Sequence, residues 1–454
     1  VALLLNAAEP ISVVAGLHLL AFFAVALLCH GELAARKPDP QHLTAFYLWL
    51  SVGGVVGGLL NTFIAPFLFA KLGPVEYPLA IVLAALVRPP TKSPAAGFRP
   101  SDLIAPLVLA AVTAGLILAV KHLLGDPQPG EEFAELVDRG VRGAAMFGLP
   151  IAAAFALAWR PVRFALSLGA VLLVGSFAPN PHGTVLETSR NFFGTLRVTV
   201  SPDGQFTRLV HGTTAHGQQR IGTVGRPEPT TYYHRKGPLG HLFEGLPADR
   251  RQRVGAVGLG AGAAAAYAGP GETWTFYEID PAVERIARDE RYFTFLSTCP
   301  AAWDVVLGDA RRQLLAAPDG SFDLLILDAF SSDAVPVHLL TKEAFELYGR
   351  KLTCRGVLAF HVSNRYLDLA PLVARVATAA DPHAVVRWQF DTEDDPAEGK
   401  LKSIWVVVAK AEDDLPKLPD GRPDRRWGLL RPKPGPVWTD DFSHLLGVWK
   451  RAEE

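Results

Sequence analysis

The sequence predicts a multi-pass α-helical membrane region followed by an α/β domain that begins with a small β unit. Three observations carry this expectation. First, residues 254–333 hold four glycine or acidic signals in order: VGAVGLGAG (254–262), FYEID (276–280), VVLGDA (305–310) and LLILDAFSSD (324–333). Each closes a short apolar run, and such runs separated by helical stretches are the pattern of a parallel βαβ sheet. Ligands of such sheets bind outside the carboxyl ends of the strands, where all four signals fall. Second, only 21 of the 89 Asp, Glu, Lys and Arg residues precede position 179. Third, that charge-poor part contains repeated apolar stretches near the ~20 residues needed to cross hydrocarbon.

A chain of 454 residues accommodates two or three domains. A formal net charge of −1 argues against a nucleic-acid partner, which requires a basic face. Cys29, Cys299 and Cys354 are scattered and odd in number, so they form neither a disulfide framework nor a zinc spacing. The chain opens at Val1 directly in apolar sequence, without a charged stretch and cleavage site. Further helices upstream are the expectation.

The membrane region is expected over 1–178. Residues 11–30 form a first span and 43–70 a second, in which GGVVGG (53–58) lets helices approach closely. Residues 76–87 are short for a span, 103–124 form another, and 143–159 and 162–178 form a hairpin around Arg160-Pro161. Five or six spans result. Basic loops at Arg36/Lys37 and Arg88/Lys92/Arg99 belong inside, which sends residues 179 onward outside unless 76–87 fails to cross. A domain using a nucleoside donor belongs in the cytoplasm, and that side is the expectation. His18, His30, Glu32 and Asn61 are the polar residues in or beside the spans; interfacial anchoring and a transport role both account for them.

Residues 183–250 are expected to form the small β unit and its connecting segment. The alternation of GTLRVTVSPDGQFTRLVHGT is strand-like around a PDG turn, and TTYYHRKGPLGHLF (230–243) leads onward. The α/β domain is expected over 251–410, with strands near 254–257, 274–278, 304–307, 323–327, 357–361, 385–390 and 404–409, and a tail over 411–454. Gly258, Gly260 and Gly262 allow a tight turn and close backbone approach to a ligand. Glu278, twenty positions after Gly258, is placed to accept the hydroxyls of a ribose. Asp309 adds an acceptor for an adenine amino group, shifting the reading from a dinucleotide to an adenosyl-sulfonium ligand. Asp328 and Asp333 face the same crevice and suit an amine that must lose a proton before attacking carbon; Ser331, Ser332 or Asp333 could instead cap a helix. Ser363 and Asn364 in HVSNRYLD (361–368) are placed either to line the crevice or to cap.

In combination these residues resemble the spermidine synthase (polyamine aminopropyltransferase) family, in its membrane-fused branch, over about 183–449. The resemblance implies a Rossmann-like, class I methyltransferase-type domain behind an N-terminal β unit. It implies a nucleoside loop at Gly258, Gly260 and Gly262, a ribose acid at Glu278, an adenine site at Asp309 and Ala310, and a catalytic Asp328. Gln219, Tyr233, His234 and Asp333 would line the acceptor site. Three positions depart from the family pattern. Ala261 stands where the glycine loop carries an acid, Arg235 replaces the Glu of Tyr-His-Glu, and Asp328 and Asp333 are five apart rather than three.

The expected activity is transfer of an aminopropyl group from decarboxylated S-adenosylmethionine to a small-molecule amine. A sulfonium already makes the adjacent carbon electrophilic, so no metal is called for. An S-adenosylmethionine-dependent methyltransferase is the alternative, which Ala261 favours; a ligand-sensing or transport protein is the second. The expected partners are the lipid bilayer and the acceptor, with a homodimer possible and no nucleic acid.

Overall fold

The computed structural model describes residues 11–89, 99–124, 132–178, 183–212, 214–329, 336–418 and 420–450. The chain divides into two compact units, Val1–Phe192 and Phe193–Glu454.

The first unit is helical up to a terminal strand. Its helices are α1 (Ile11–Ala35), α2 (Leu43–Leu59), α3 (Ala65–Leu68), α4 (Glu76–Val87), α5 (Ile104–Leu124), α6 (Glu132–Gly143), α7 (Leu149–Ala156) and α8 (Pro161–Gly175), followed by β1 (Thr184–Asn191). Three helical stretches, Ser12–Ala35, Pro40–Leu68 and Pro100–Leu124, are long and apolar enough to cross a membrane. The other expected spans correspond to the shorter apolar helices Glu76–Val87, Gly140–Ala156 and Pro161–Gly175. Helix α8 is the packing centre, burying Phe164, Ala165, Ser167, Val171 and Gly175. Buried Asp102 receives Arg160 at 3.2 Å and Arg163 at 2.9 Å, pinning the start of α5 to the α7–α8 turn. His18 has a partner within the unit: its Nδ1 lies 2.9 Å from the Tyr77 hydroxyl.

The second unit begins with an antiparallel meander of β2 (Gly194–Val200), β3 (Phe206–His211) and β4 (Thr214–Arg220). After α9 (Pro238–Gly245) come β5 (Arg253–Val257), β6 (Thr273–Glu278), α10 (Pro281–Ala287), β7 (Ala302–Leu307), α11 (Ala310–Ala316) and β8 (Phe322–Leu327). The chain continues with α12 (Lys342–Lys351), β9 (Leu352–His361), α13 (Ala370–Ala380), β10 (Val385–Asp391), β11 (Ser403–Ala409) and β12 (Gly428–Leu429). The sheet order is β12-β10-β11-β9-β8-β5-β6-β7. Strands β9, β8, β5, β6 and β7 run parallel, and β11 joins β9 antiparallel. This is a mixed, Rossmann-like sheet, and all seven strands expected from the apolar runs are present.

The strands are apolar on both faces because both faces are covered. Val254, Ala256, Leu324 and Ile326 enter one buried cluster, while their neighbours Val257, Leu325 and Leu327 enter the other. Strand order reverses between β5 and β8, and the crevice beyond the carboxyl ends of strands flanking such a reversal is where ligands bind. The registers Val257↔Leu327 and Val257↔Tyr277 bring Gly258, Asp328 and Glu278 together there.

Candidate active site

Beyond these strand ends lies a cavity of about 270 Å³. Its walls include Gly258 and Gly260 from the loop after β5, Glu278, Ile279 and Asp280 after β6, and Gly308, Asp309 and Ala310 after β7. Asp328 and Ala329 follow β8, and the meander contributes Leu196, Leu209, His211 and His216.

Two glycines are dictated by their neighbours. Gly258 has φ +93°, and a Cβ there would lie 2.1 Å from the Asp328 carbonyl oxygen. Gly260 has φ +54°, and a Cβ would lie 2.4 Å from the carbonyl oxygen of His216. Left-handed backbone and these close approaches leave no room for a side chain. Gly262 is also left-handed but does not line the cavity; its neighbours are Leu296 and Phe295, so its task is packing.

Glu278 is buried and lines the cavity. Its Oε2 accepts from the Leu259 amide at 3.0 Å and its Oε1 from the Asp280 amide at 2.9 Å. Burial pushes its carboxyl above the ordinary Glu value, although these amide bonds pull the other way. Each carboxylate oxygen keeps acceptor capacity beyond one amide bond, so a ribose diol fits the donor set. Asp309 caps α11, its Oδ1 accepting from the Arg312 amide at 2.9 Å, and its Oδ2 lies 3.0 Å from His338 Nε2. Asp280 likewise caps α10 through the Ala282 amide. The strand-end acids therefore start the helices as well as walling the cavity.

Asp328 is held from two sides. The Tyr233 hydroxyl donates to Oδ2, and His361 Nδ1 stands 2.7 Å from Oδ1. Burial pushes the Asp328 carboxyl up, but the charge of His361 and hydrogen bonds from His361 and Tyr233 outweigh it, and the group titrates below the ordinary Asp range. Burial and the same carboxylate keep Tyr232 and Tyr233 protonated as donors. Tyr232 stacks on His361 with ring centroids 4.2 Å apart, and Trp405 closes behind at 5.0 Å. Thr231, immediately before this pair, has φ +58°, the only positive value among the described non-glycine residues. A β-branched residue there is strained. Its amide donates to the Gly399 carbonyl at 2.6 Å, which holds the turn in place.

Several expected site residues stand elsewhere. Gln219 is engaged twice with Thr294, through the Thr294 amide at 2.8 Å and hydroxyl at 3.0 Å, and does not line the cavity. His234 faces Glu398 at 3.6 Å, also off the cavity. Tyr233 reaches Asp328 but it is Tyr232 that lines the wall. Ser363 accepts from the Ile404 amide and Asn364 from the Tyr366 and Leu367 amides, so both serve the backbone. Asp333, Ser331 and Ser332 lie outside the described residues. Two of the three departures also fall off the cavity. Ala261 is buried against β4, where a Cβ on Gly217 would meet it, and Arg235 is half-exposed, paired with Glu228 and set over the Tyr267 ring. Sequence reasoning missed His211, His216, Tyr232, His338 and His361. The position of His361 was its one signal: it ends a strand, as Asp328 nearly does.

Fold and site together define an α/β domain with a carboxylate-lined crevice at the sheet reversal. No family model matches the chain. It is 35% identical over 166 residues to a polyamine aminopropyltransferase of Vibrio vulnificus (strain CMCP6), covering 34% of this chain and 53% of that protein. The chain thus spans about half the length of the curated relative it matches. Among solved structures, it is similar to a spermidine synthase from Thermotoga maritima (16% identity, TM-score 0.38, 51% of this chain and 74% of that one). A probable spermidine synthase from Corynebacterium glutamicum aligns at 18% identity and TM-score 0.38, over 51% of this chain and 80% of that one. The O-methyltransferase TomG from Streptomyces achromogenes aligns at 12% identity and TM-score 0.28, over 38% and 80%.

Proposed function

We propose that this chain is a membrane-anchored, spermidine synthase-like transferase that moves an aminopropyl group from decarboxylated S-adenosylmethionine to an amine. The observation that carries it is Asp328: an ionised carboxylate on the cavity wall, at the sheet reversal, held by Tyr233 and His361. Similarity to an aminopropyltransferase supports the same reading. Glu278 would accept the ribose hydroxyls, and Asp309 with Ala310 would meet the adenine edge. Ile279 and Leu339, both on the wall, would cover the purine faces. The donor, when bound, supplies an electrophilic carbon beside its sulfonium. Asp328 orients the attacking amine and receives its proton, and the two tyrosine hydroxyls fix the carboxylate without competing for that proton.

Calorimetry on the detergent-solubilised chain compares S-adenosylmethionine with its decarboxylated form, followed by product analysis with putrescine and other amines. Tighter binding of the decarboxylated donor and an aminopropylated product are expected. Preference for the carboxylated donor would turn the reading to methyl transfer, and binding of the decarboxylated donor without product from any amine would turn it to a sensor.

A further inference from the structure

We infer that His361 is a positioning residue for the transfer step: its Nδ1–H holds the Asp328 carboxylate in the direction from which it takes the proton of the attacking amine. This rests on the aminopropyl-transfer reading above and names the residue that makes its base usable. His361 Nδ1 lies 2.7 Å from Asp328 Oδ1, and both side chains are more than nine-tenths buried. An ionised carboxylate only accepts, so the proton between them belongs to Nδ1. Oδ2 is taken by the Tyr233 hydroxyl. With both oxygens tied, the carboxylate cannot turn about its Cβ–Cγ bond without breaking a hydrogen bond.

The imidazole is itself held still. His361 ends β9 opposite Trp405 of β11, whose indole is fully buried against it. Tyr232 stacks on the ring with only 16° between the two planes. A swing of the ring away from Asp328 would give up both contacts. Asp328 and Tyr232 line the main cavity, whereas His361 lines the small recess behind it. His361 therefore acts on a ligand in the cavity through Asp328. It also favours the ionised form, since His361 and Tyr233 outweigh the burial that pushes the Asp328 carboxyl up. A buried carboxyl without such partners tends to keep its own proton and can take no other.

The covalent step balances with the donor named. The amine lone pair forms the new N–C bond, the C–S bond breaks with its electrons going to sulfur, and the proton on nitrogen passes to Asp328. The His361 proton stays on Nδ1 throughout. The leaving group is a neutral thioether nucleoside.

The test measures that thioether with the full chain in detergent, decarboxylated S-adenosylmethionine, and putrescine or whichever other amine gives most product. Calorimetry counts the donor-binding sites, and kcat is expressed per site, so unfolded protein does not enter it. His361→Phe keeps a ring in the stack and removes the N–H. Its kcat is expected to fall roughly 10- to 100-fold, the size of a hydrogen bond to a charged group, with donor affinity kept. His361→Asn gives up the stack but places an amide N–H as many bonds from the backbone as Nδ1, and is expected to recover most of that loss. In an Asp328→Asn background, His361→Phe is expected to lower the residual kcat by less than about threefold, because nothing is left for it to act through. An undiminished kcat in His361→Phe overturns the inference, and so does lost donor binding, which would mark a structural role. A His361→Phe chain faster than His361→Asn, or full multiplication of the two losses in the double variant, overturns it as well. Each of these leaves aminopropyl transfer standing; product from no amine with the unaltered chain overturns both.

Discussion

Two buried carboxylates, Glu278 at the end of β6 and Asp328 just after β8, are tuned in opposite directions, and that difference is measurable. Burial raises Glu278, while His361 and Tyr233 bring Asp328 below the ordinary value against its own burial. As pH falls from neutrality, Glu278 takes up its proton first. The donor KM is therefore expected to rise in a range where kcat at saturating donor still holds, and a parallel fall of both would remove the assignment. Asp328 contributes stability that is complete above its unfolded value of 3.8 and is lost as pH falls through its lower folded value; Glu278 favours the folded state below 4.5 and withdraws that contribution as pH rises through its higher folded value. Asp328→Asn is expected to lower kcat by roughly 10²- to 10⁴-fold while calorimetric donor affinity is kept. Unchanged turnover would end its role as proton acceptor. Asp328 and Glu278 were legible in sequence because each follows an apolar run. The choice of Tyr232 over His234 for the wall was not. Thr231 turns through a left-handed conformation that no pattern of residue types announces, and it resets which neighbours face the cavity.

At the scale of elements, the loop after β5 and the start of α11 are the points where backbone geometry and ligand geometry coincide. Gly258→Ala forces a side chain toward the Asp328 carbonyl, and left-handed strain alone costs on the order of 1–3 kcal/mol. A lower melting temperature by near-ultraviolet circular dichroism, together with lost donor binding, is the expected outcome; an unshifted melt would contradict the close approach. Asp309→Ala removes the α11 cap at a cost of about 1 kcal/mol. It is also expected to raise the donor KM, whereas a purely structural cap would leave that KM alone. The meander shows why Gln219 was misplaced. The β3–β4 register shifts between the pairs Arg208↔Gln218 and Val210↔Ala215, which puts an extra residue inside β4, so alternation counted along the sequence loses its phase just ahead of Gln219. His216 ends on the cavity wall, and Gln219 turns to Thr294.

For the whole molecule, the contrast between a charge-poor first part and a charged second part was readable from composition, and the structure divides the chain into two compact units. The number of spans was not, because length decides it: α4 and the two helices after Gly140 are apolar but short. Membrane anchoring predicts that the chain stays in the pellet through alkaline carbonate extraction, and release into the supernatant would refute it. A reporter fused at Glu454 tests the expected cytoplasmic side; activity confined to the outside would sink that expectation.

The segment after the last long strand carries a consequence for how the molecule is made. Trp438 and Val448 are buried in the cluster beneath β8 and β9, Asp440 bonds Arg311 and Thr341, and the Asp368 amide donates to the Val448 carbonyl. These residues leave the ribosome after every main strand has been synthesised. One face of the sheet therefore stays unsealed until this segment has been made, long after the apolar helices of the first unit have left the ribosome. The second unit is therefore complete only when the last residues of that segment have been made.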